Sequence, residues 1–182
     1  MNIPETYDYL VRARRDLWAA LEAVPDHLLS RPLLEGSRFH CIKDLLHHIP
    51  AVEDGWIHED ILATETVRNT NPALMNLGDG PIYRGLALGI LLDYWRAVEL
   101  STLDYLATLN DNELKRVVVV HDAPEDRFTV DGLLWHVMIH EMRHTAQIAV
   151  LLRIQGIKPP FLDLLNYLPQ SFAEVLVHKP SA

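Results

Sequence analysis

The chain has 182 residues, 49% apolar and 23% charged, enough to bury one sizeable core, so a single domain over 1–182 is expected. A net charge of -9 leaves no surplus of Lys and Arg for nucleic acid or an anionic lipid surface, so neither partner is expected. The start, MNIPETYDYL, lacks an apolar h-region, runs such as LALGILL at 86–92 are too short to span a bilayer, and the single Cys41 allows no internal disulfide; a cytoplasmic location is the expectation.

The first helical pattern runs from about Thr6 to Val24, with Leu10, Ala13, Leu17 and Leu21 at helical spacing and Pro25 just beyond. A second runs from about Cys41 to Ala63, after the turn-rich LEGSRFH. At roughly 100° per residue, Ile42, Leu45, Leu46, Ile49, Val52 and Trp56 share one arc. His48 falls at its border, about 90° from the centre, and His47 about 170° away, toward water. Pro50 cannot donate to the carbonyl of Leu46, so a kink beside His48 is expected. Cys41 shares the face of His48 but lies two turns, ~10.5 Å, away. It reads as a buried apolar residue.

The connection TVRNTNPALMNLGDGPIYR is dense in Asn, Gly and Pro, and the third helix covers about Arg84 to Leu109. KRVVVVHDAPEDRFTV then breaks the helical period and predicts a small hairpin turning at HDAPED. The fourth helix spans about Val130 to Gln155, with Thr129 as N-cap and Gly156 as its C′ stop. Lys158-Pro159-Pro160 forbids its continuation, and LDLLNYLPQSFAEVL predicts a short closing helix. Four long helices and one β excursion make a bundle.

Ten histidines are many for this length, and their placement is informative. The fourth helix is apolar nearly all round, as expected of the most buried member of a bundle. His136, His140 and His144 form one stripe along it in i, i+4 steps. A lone histidine on a buried helix is more often a core residue bonded to a carbonyl. Two buried imidazoles in register must both be satisfied, and together they can converge on one Zn, Ni, Cu or Fe ion. His48 is the best-placed third ligand. Three stacked residues span ~12 Å, so His136 is expected to be structural or to support a ligand rather than bind the ion. His27, His58, His121 and His178 lie in polar or loop-like contexts and are expected to be solvated.

His140-Glu141-Met142-Arg143-His144 also spells H-E-x-x-H, in which a zinc protease would use Glu141 as the general base. The metzincin extension is absent, since Gln147 and Val150 stand where Gly and His are required. The only downstream glutamate is Glu174, and there is little strand to hold an extended peptide. Outside the protease reading, Glu141 is expected to be an outward-facing charge on the less buried edge of the helix.

Leu45-Leu46-His47-His48-Ile49, followed by Glu53 and Trp56, resembles the second-helix pattern of the DinB/YfiT-like metalloenzyme family, where the metal histidine precedes a Trp by eight positions. TVDGLLWHVMIH at 129–140, HTAQIA at 144–149 and PFLDL at 160–164 are similar to its last bundle helix and closing segment. The resemblance implies an all-α, up-down-down-up four-helix bundle with a hairpin-like excursion and a short C-terminal helix. It further implies a divalent ion, Ni or Zn, on His48, His140 and His144, a homodimer and a small-molecule substrate. Characterised relatives include transferases and isomerases that use a low-molecular-weight thiol such as mycothiol or bacillithiol. A thiol-dependent S-transferase or a hydrolase is therefore expected, with a non-catalytic metal- or ligand-binding dimeric bundle as the alternative.

Overall fold

Asn2 starts the first helix earlier than its apolar pattern does. Its side chain accepts the Glu5 N–H at 2.9 Å, and the Glu5 carboxylate accepts the Asn2 N–H at 3.0 Å, a reciprocal cap. Helix α1 (Ile3–Glu22) follows, then a single turn, α2 (Asp26–Leu29). The computed structural model describes residues 1–34, 39–75 and 82–168.

Helix α3 (Ile42–Asp54) is continuous through Pro50 and widens five residues later into a π-helix, Gly55–Leu62. Ala63, at φ 52°, ends it in the left-handed region. After α4 (Val67–Thr70) and a 3₁₀ turn at Ile82–Gly85, α5 (Leu88–Leu106) begins four residues beyond the expected Arg84. The short α6 (Asp111–Lys115) leads to β1 (Val117–Val120) and β2 (Ala123–Thr129), an antiparallel pair with Val118 opposite Phe128. The hairpin turns at His121-Asp122 alone, so Pro124, Glu125 and Asp126 belong to the strand rather than to the expected turn.

Helix α7 (Val130–Ile154) is bounded as its caps dictate. Thr129 Oγ1 accepts the Gly132 N–H at 3.1 Å, and Gly156 takes φ 76° just past the end. Where a closing helix is expected, the described residues show a 3₁₀ turn at Leu164–Asn166. Glu174 and His178 lie outside the described residues.

Helix α3 packs on α5 and α7, α1 packs on α7 and α5, and the hairpin closes against the π-helix and α7. One half of the core holds Leu17, Leu21, Ile42, Leu45, Trp95 and Leu152; the other holds Tyr7, Leu10, Ile57, Leu134 and Met138. Among the described residues no helix is long and apolar enough to cross a membrane. Helix α7 is not buried all round: Ile139, Val150 and Ile154 are 56%, 50% and 64% exposed. Its apolar circumference exceeds what the other helices cover, because the bundle packs against only part of it.

The four long helices each contribute one charged residue to a buried layer. Arg14 of α1, 1% exposed, meets Glu53 of α3, Glu99 of α5 and Glu141 of α7. Its guanidinium binds Glu141 at 2.7 and 2.5 Å and reaches Glu53, Glu99 and the Tyr7 hydroxyl at 3.1 Å each. Tyr7 also donates to Glu53, and Arg15 closes the rim on Glu99. Glu141 is therefore not the outward-facing charge expected of it. A fully buried arginine offering a planar fork of donors draws it inward, since neither group alone could leave water. Burial raises the pKa of Glu141, Arg14 pulls it down, and Glu53 and Glu99 push it up again, the net direction being upward.

Candidate metal centre

Two helices build the centre. His140 and His144 project from α7 one turn apart, and His48 comes from α3, where Ile42, Leu45, Leu46 and Ile49 of the apolar arc are at no more than 1% exposure, while Val52 and Trp56 at its far end are half-buried. The three imidazoles converge so that one ligand nitrogen from each lies within 4.8 Å of the others. His48 and His140 stand Nε2 to Nε2 at 2.9 Å, and ring centroids within the trio are 4.3 to 4.8 Å apart. Pro50 thus leaves His48 facing the pair.

The donor set fits a borderline divalent cation. Two nitrogens each about 2.1 Å from one ion stand ~3.0 Å apart at a right angle and ~3.4 Å apart at the tetrahedral angle, so the 2.9 Å pair needs only tenths of an ångström of adjustment. That contact is satisfied by one ring donating its Nε2 proton to the other; for both Nε2 atoms to bind an ion, the donating ring would carry its proton on Nδ1 instead. Burial pushes the pKa of His140 down to about 3, helped by His144, His48 and His136 nearby. Burial also lowers His144, against the opposing pull of Gln147. Both rings are therefore neutral near pH 7, the form that binds metal.

The sequence marked Gln147 only as part of HTAQIA at 144–149 and as a departure from the metzincin pattern. Its Oε1 lies 2.6 Å from His144 Nδ1 and accepts that proton, which leaves Nε2 as the lone-pair nitrogen of His144. The i, i+3 spacing of Gln147 from His144 on a helix is the signal that could have found it. Phe39 was also missed. Its ring lies 4.2 Å from His48 and 5.9 Å from His144, covering one side of the trio. His136 is exposed, 5.9 Å from the His140 ring and 5.6 Å from Trp56, with Phe128 6.4 Å from that indole. His136 thus neighbours the trio without joining it.

Two other histidines differ from expectation. His47 is 4% exposed rather than turned to water, stacked 3.7 Å from the Tyr83 ring and 5.7 Å from Tyr94. Burial, then Arg68 and His48, push its pKa down to about 3. Helical facing identifies the side of α3 that meets α7, but α5 and the 82–85 turn bury a second side. His58 is 6% exposed rather than solvated, because the π-helix turns it back between Asp54 and Ser101, at 2.7 and 2.8 Å. His27 and His121 are exposed as expected, and Cys41 is fully buried with its thiol pKa pushed up to about 11 by burial.

A helical bundle that gathers three imidazoles between two of its helices defines a class of proteins equipped to bind a divalent metal. A sequence model of the DinB family matches residues 1–174, and the chain belongs to that family. No curated protein matches it significantly.

Proposed function

We propose that the chain is a metal-dependent enzyme in which His48, His140 and His144 hold a divalent transition ion, nickel or zinc, and whose substrate is a small molecule modified by transfer to or from a low-molecular-weight thiol. The observation that carries this reading is the convergence of three ligand nitrogens within 4.8 Å from only two helices. Three protein ligands leave coordination positions open, which a purely structural site would fill. When bound, such an ion supplies a Lewis acid that lowers the pKa of a thiol or water held at an open position.

The chain's own residues supply the rest. Gln147 fixes the tautomer of His144, and burial keeps His140 unprotonated. Phe39 shields one side of the trio from water, while Trp56, Phe128 and His136 line an aromatic wall suited to an apolar part of the substrate. Glu141 has no part in the chemistry, since its carboxylate is bound by Arg14. Thiol transfer is favoured over hydrolysis by family likeness. The exposed α7 residues Ile139, Val150 and Ile154 support a homodimer.

Metal analysis of the purified protein beside His48→Ala, His140→Ala and His144→Ala tests the centre. One ion per chain in the wild type, lost in each variant, is the expected result; equal metal content in all four would remove the basis of the proposal. Incubating the loaded protein with bacterial thiols and small electrophiles tests the reaction. Thiol-independent cleavage of an ester or amide would move the reading to hydrolysis.

A further inference from the structure

A second constellation of polar side chains lies on the seam between the π-helix and α5 and shares no residue with the three-histidine centre. Asp54 is 1% exposed, and its carboxylate is held from several sides. Oδ1 accepts the Val67 N–H at 2.9 Å, and Oδ2 accepts the Arg68 N–H at 2.9 Å and the Tyr94 hydroxyl at 2.8 Å. His58 Nδ1 lies 2.7 Å from Asp54 Oδ1 and 3.2 Å from the Asp54 carbonyl oxygen, and Nε2 lies 2.8 Å from Ser101 Oγ. A fixed carboxylate, an imidazole oriented through Nδ1 and a hydroxyl on Nε2 stand in the order of an Asp–His–Ser relay.

A histidine bonded on both nitrogens can be a structural pin, but two features of this one exceed that role. Its carboxylate partner is immobilised by two backbone N–H groups and a tyrosine, which holds the imidazole in place; in its neutral form with the proton on Nδ1, the ring presents Nε2 as an acceptor to the serine. The residue that bears the hydroxyl is also not shut inside the core. Ser101 is only half-buried, and Ala97, Leu100 and Asp104 around it are exposed.

We propose that Asp54, His58 and Ser101 form a second, metal-independent nucleophilic centre that accepts acyl groups from small activated esters. Ser101 Oγ bonds to the carbonyl carbon as its proton passes to His58 Nε2, and Asp54 stabilises the imidazolium through Nδ1–H. The bond to the leaving oxygen then breaks, and the proton on Nε2 moves to that oxygen, releasing the alcohol. Water, deprotonated by His58, then frees the acyl group from Ser101 as the carboxylic acid. Ser101 lies inside α5, Leu88–Leu106, where neighbouring backbone N–H groups are spent on helix carbonyls and cannot cradle an oxyanion. The centre therefore suits esters with good leaving groups, acylates faster than it turns over, and leaves amides intact.

The test treats the full chain, metal-loaded and EDTA-stripped in parallel, with p-nitrophenyl acetate and with a fluorophosphonate, and maps adducts by peptide mass. One adduct on Ser101 is expected, formed at the same rate in both metal states, absent after guanidinium unfolding and absent from Ser101→Ala. His58→Gln is expected to label about 100-fold more slowly. The folded-versus-unfolded comparison on the wild-type chain decides the matter if that variant does not fold. No adduct on Ser101, or one that forms equally in guanidinium, overturns the proposal. So does p-nitrophenol release that EDTA abolishes and Ser101→Ala retains, which would belong to the metal centre.

Discussion

Arg14 grips Glu141 through two parallel bonds, Nε to Oε1 at 2.7 Å and Nη2 to Oε2 at 2.5 Å, across the interface of α1 and α7. This contact decides the meaning of the H-E-x-x-H string: the glutamate closes a charged layer in the bundle interior. Arg14→Met would leave the buried Glu141 without its guanidinium, and Glu53 and Glu99 with only Tyr7 and Arg15, and is expected to cost about 3–5 kcal/mol in urea unfolding, as does breaking other buried ion pairs from one side. Glu141→Gln should cost less, because it removes one of three negative charges and keeps an acceptor for the guanidinium. Its metal content should equal that of wild type. Loss of metal on Glu141→Gln in a folded protein would return the glutamate to the site.

Gln147 is expected to matter to the metal without touching it. Its Oε1 accepts the proton of His144 Nδ1 at 2.6 Å. Gln147→Leu frees that ring to rotate and change tautomer, and should weaken metal affinity by about 10–100-fold in a competition titration. His136→Ala should leave the metal stoichiometry unchanged, since that ring neighbours His140 without joining the trio.

The Asp54–His58 pair predicts a pH window. The hydrogen bond to Asp54 raises the pKa of His58 above its ordinary 6.5, against the downward pull of burial. Burial pulls Asp54 upward, but bonds from His58, from the Arg68 and Val67 N–H groups and from Tyr94 outweigh it and hold the carboxyl below 3.8. The contribution of His58 to stability is complete below its unfolded value and is lost as pH rises through the raised one; that of Asp54 is complete above its unfolded value and is lost as pH falls through the depressed one. The pair therefore contributes most between about pH 4 and 6.5. Urea unfolding across pH should show the gap between wild type and His58→Gln widest in that window. A gap that grows above pH 8 would contradict the assignment.

Ile139, Val150 and Ile154 are apolar residues exposed on the outside of α7, with Arg143 and Gln147 between the first two. If a second copy covers that face, sedimentation equilibrium should give a dimer for wild type and a monomer for Val150→Glu, with secondary structure and metal content unchanged. A monomeric wild type would refute the homodimer.

Much of the fold was legible because it rests on local rules. The apolar spacing of Leu10, Ala13, Leu17 and Leu21, the Thr129 cap, the Gly156 stop and the β-branched run at 117–120 each act within a few residues, and each produced the element it predicts. His48, His140 and His144 came together as facing and spacing required, because the two helices that carry them meet along their apolar arcs. His47, His58 and Glu141 escaped that reasoning for one reason. Their burial depends on side chains distant in sequence: Tyr83 and Tyr94 for His47, Ser101 for His58, Arg14 for Glu141.

The sequence by itself determined the helices, their ends and the histidine stripe, since hydrogen bonding along a helix and the turn of about 100° per residue are properties of the local chain. Tertiary structure alone decided which polar groups could leave water. A buried charge or imidazole is stable only where a partner meets it. Arg14 with its three glutamates, Asp54 with His58 and Ser101, and Gln147 aligning His144 became neighbours only when the helices packed.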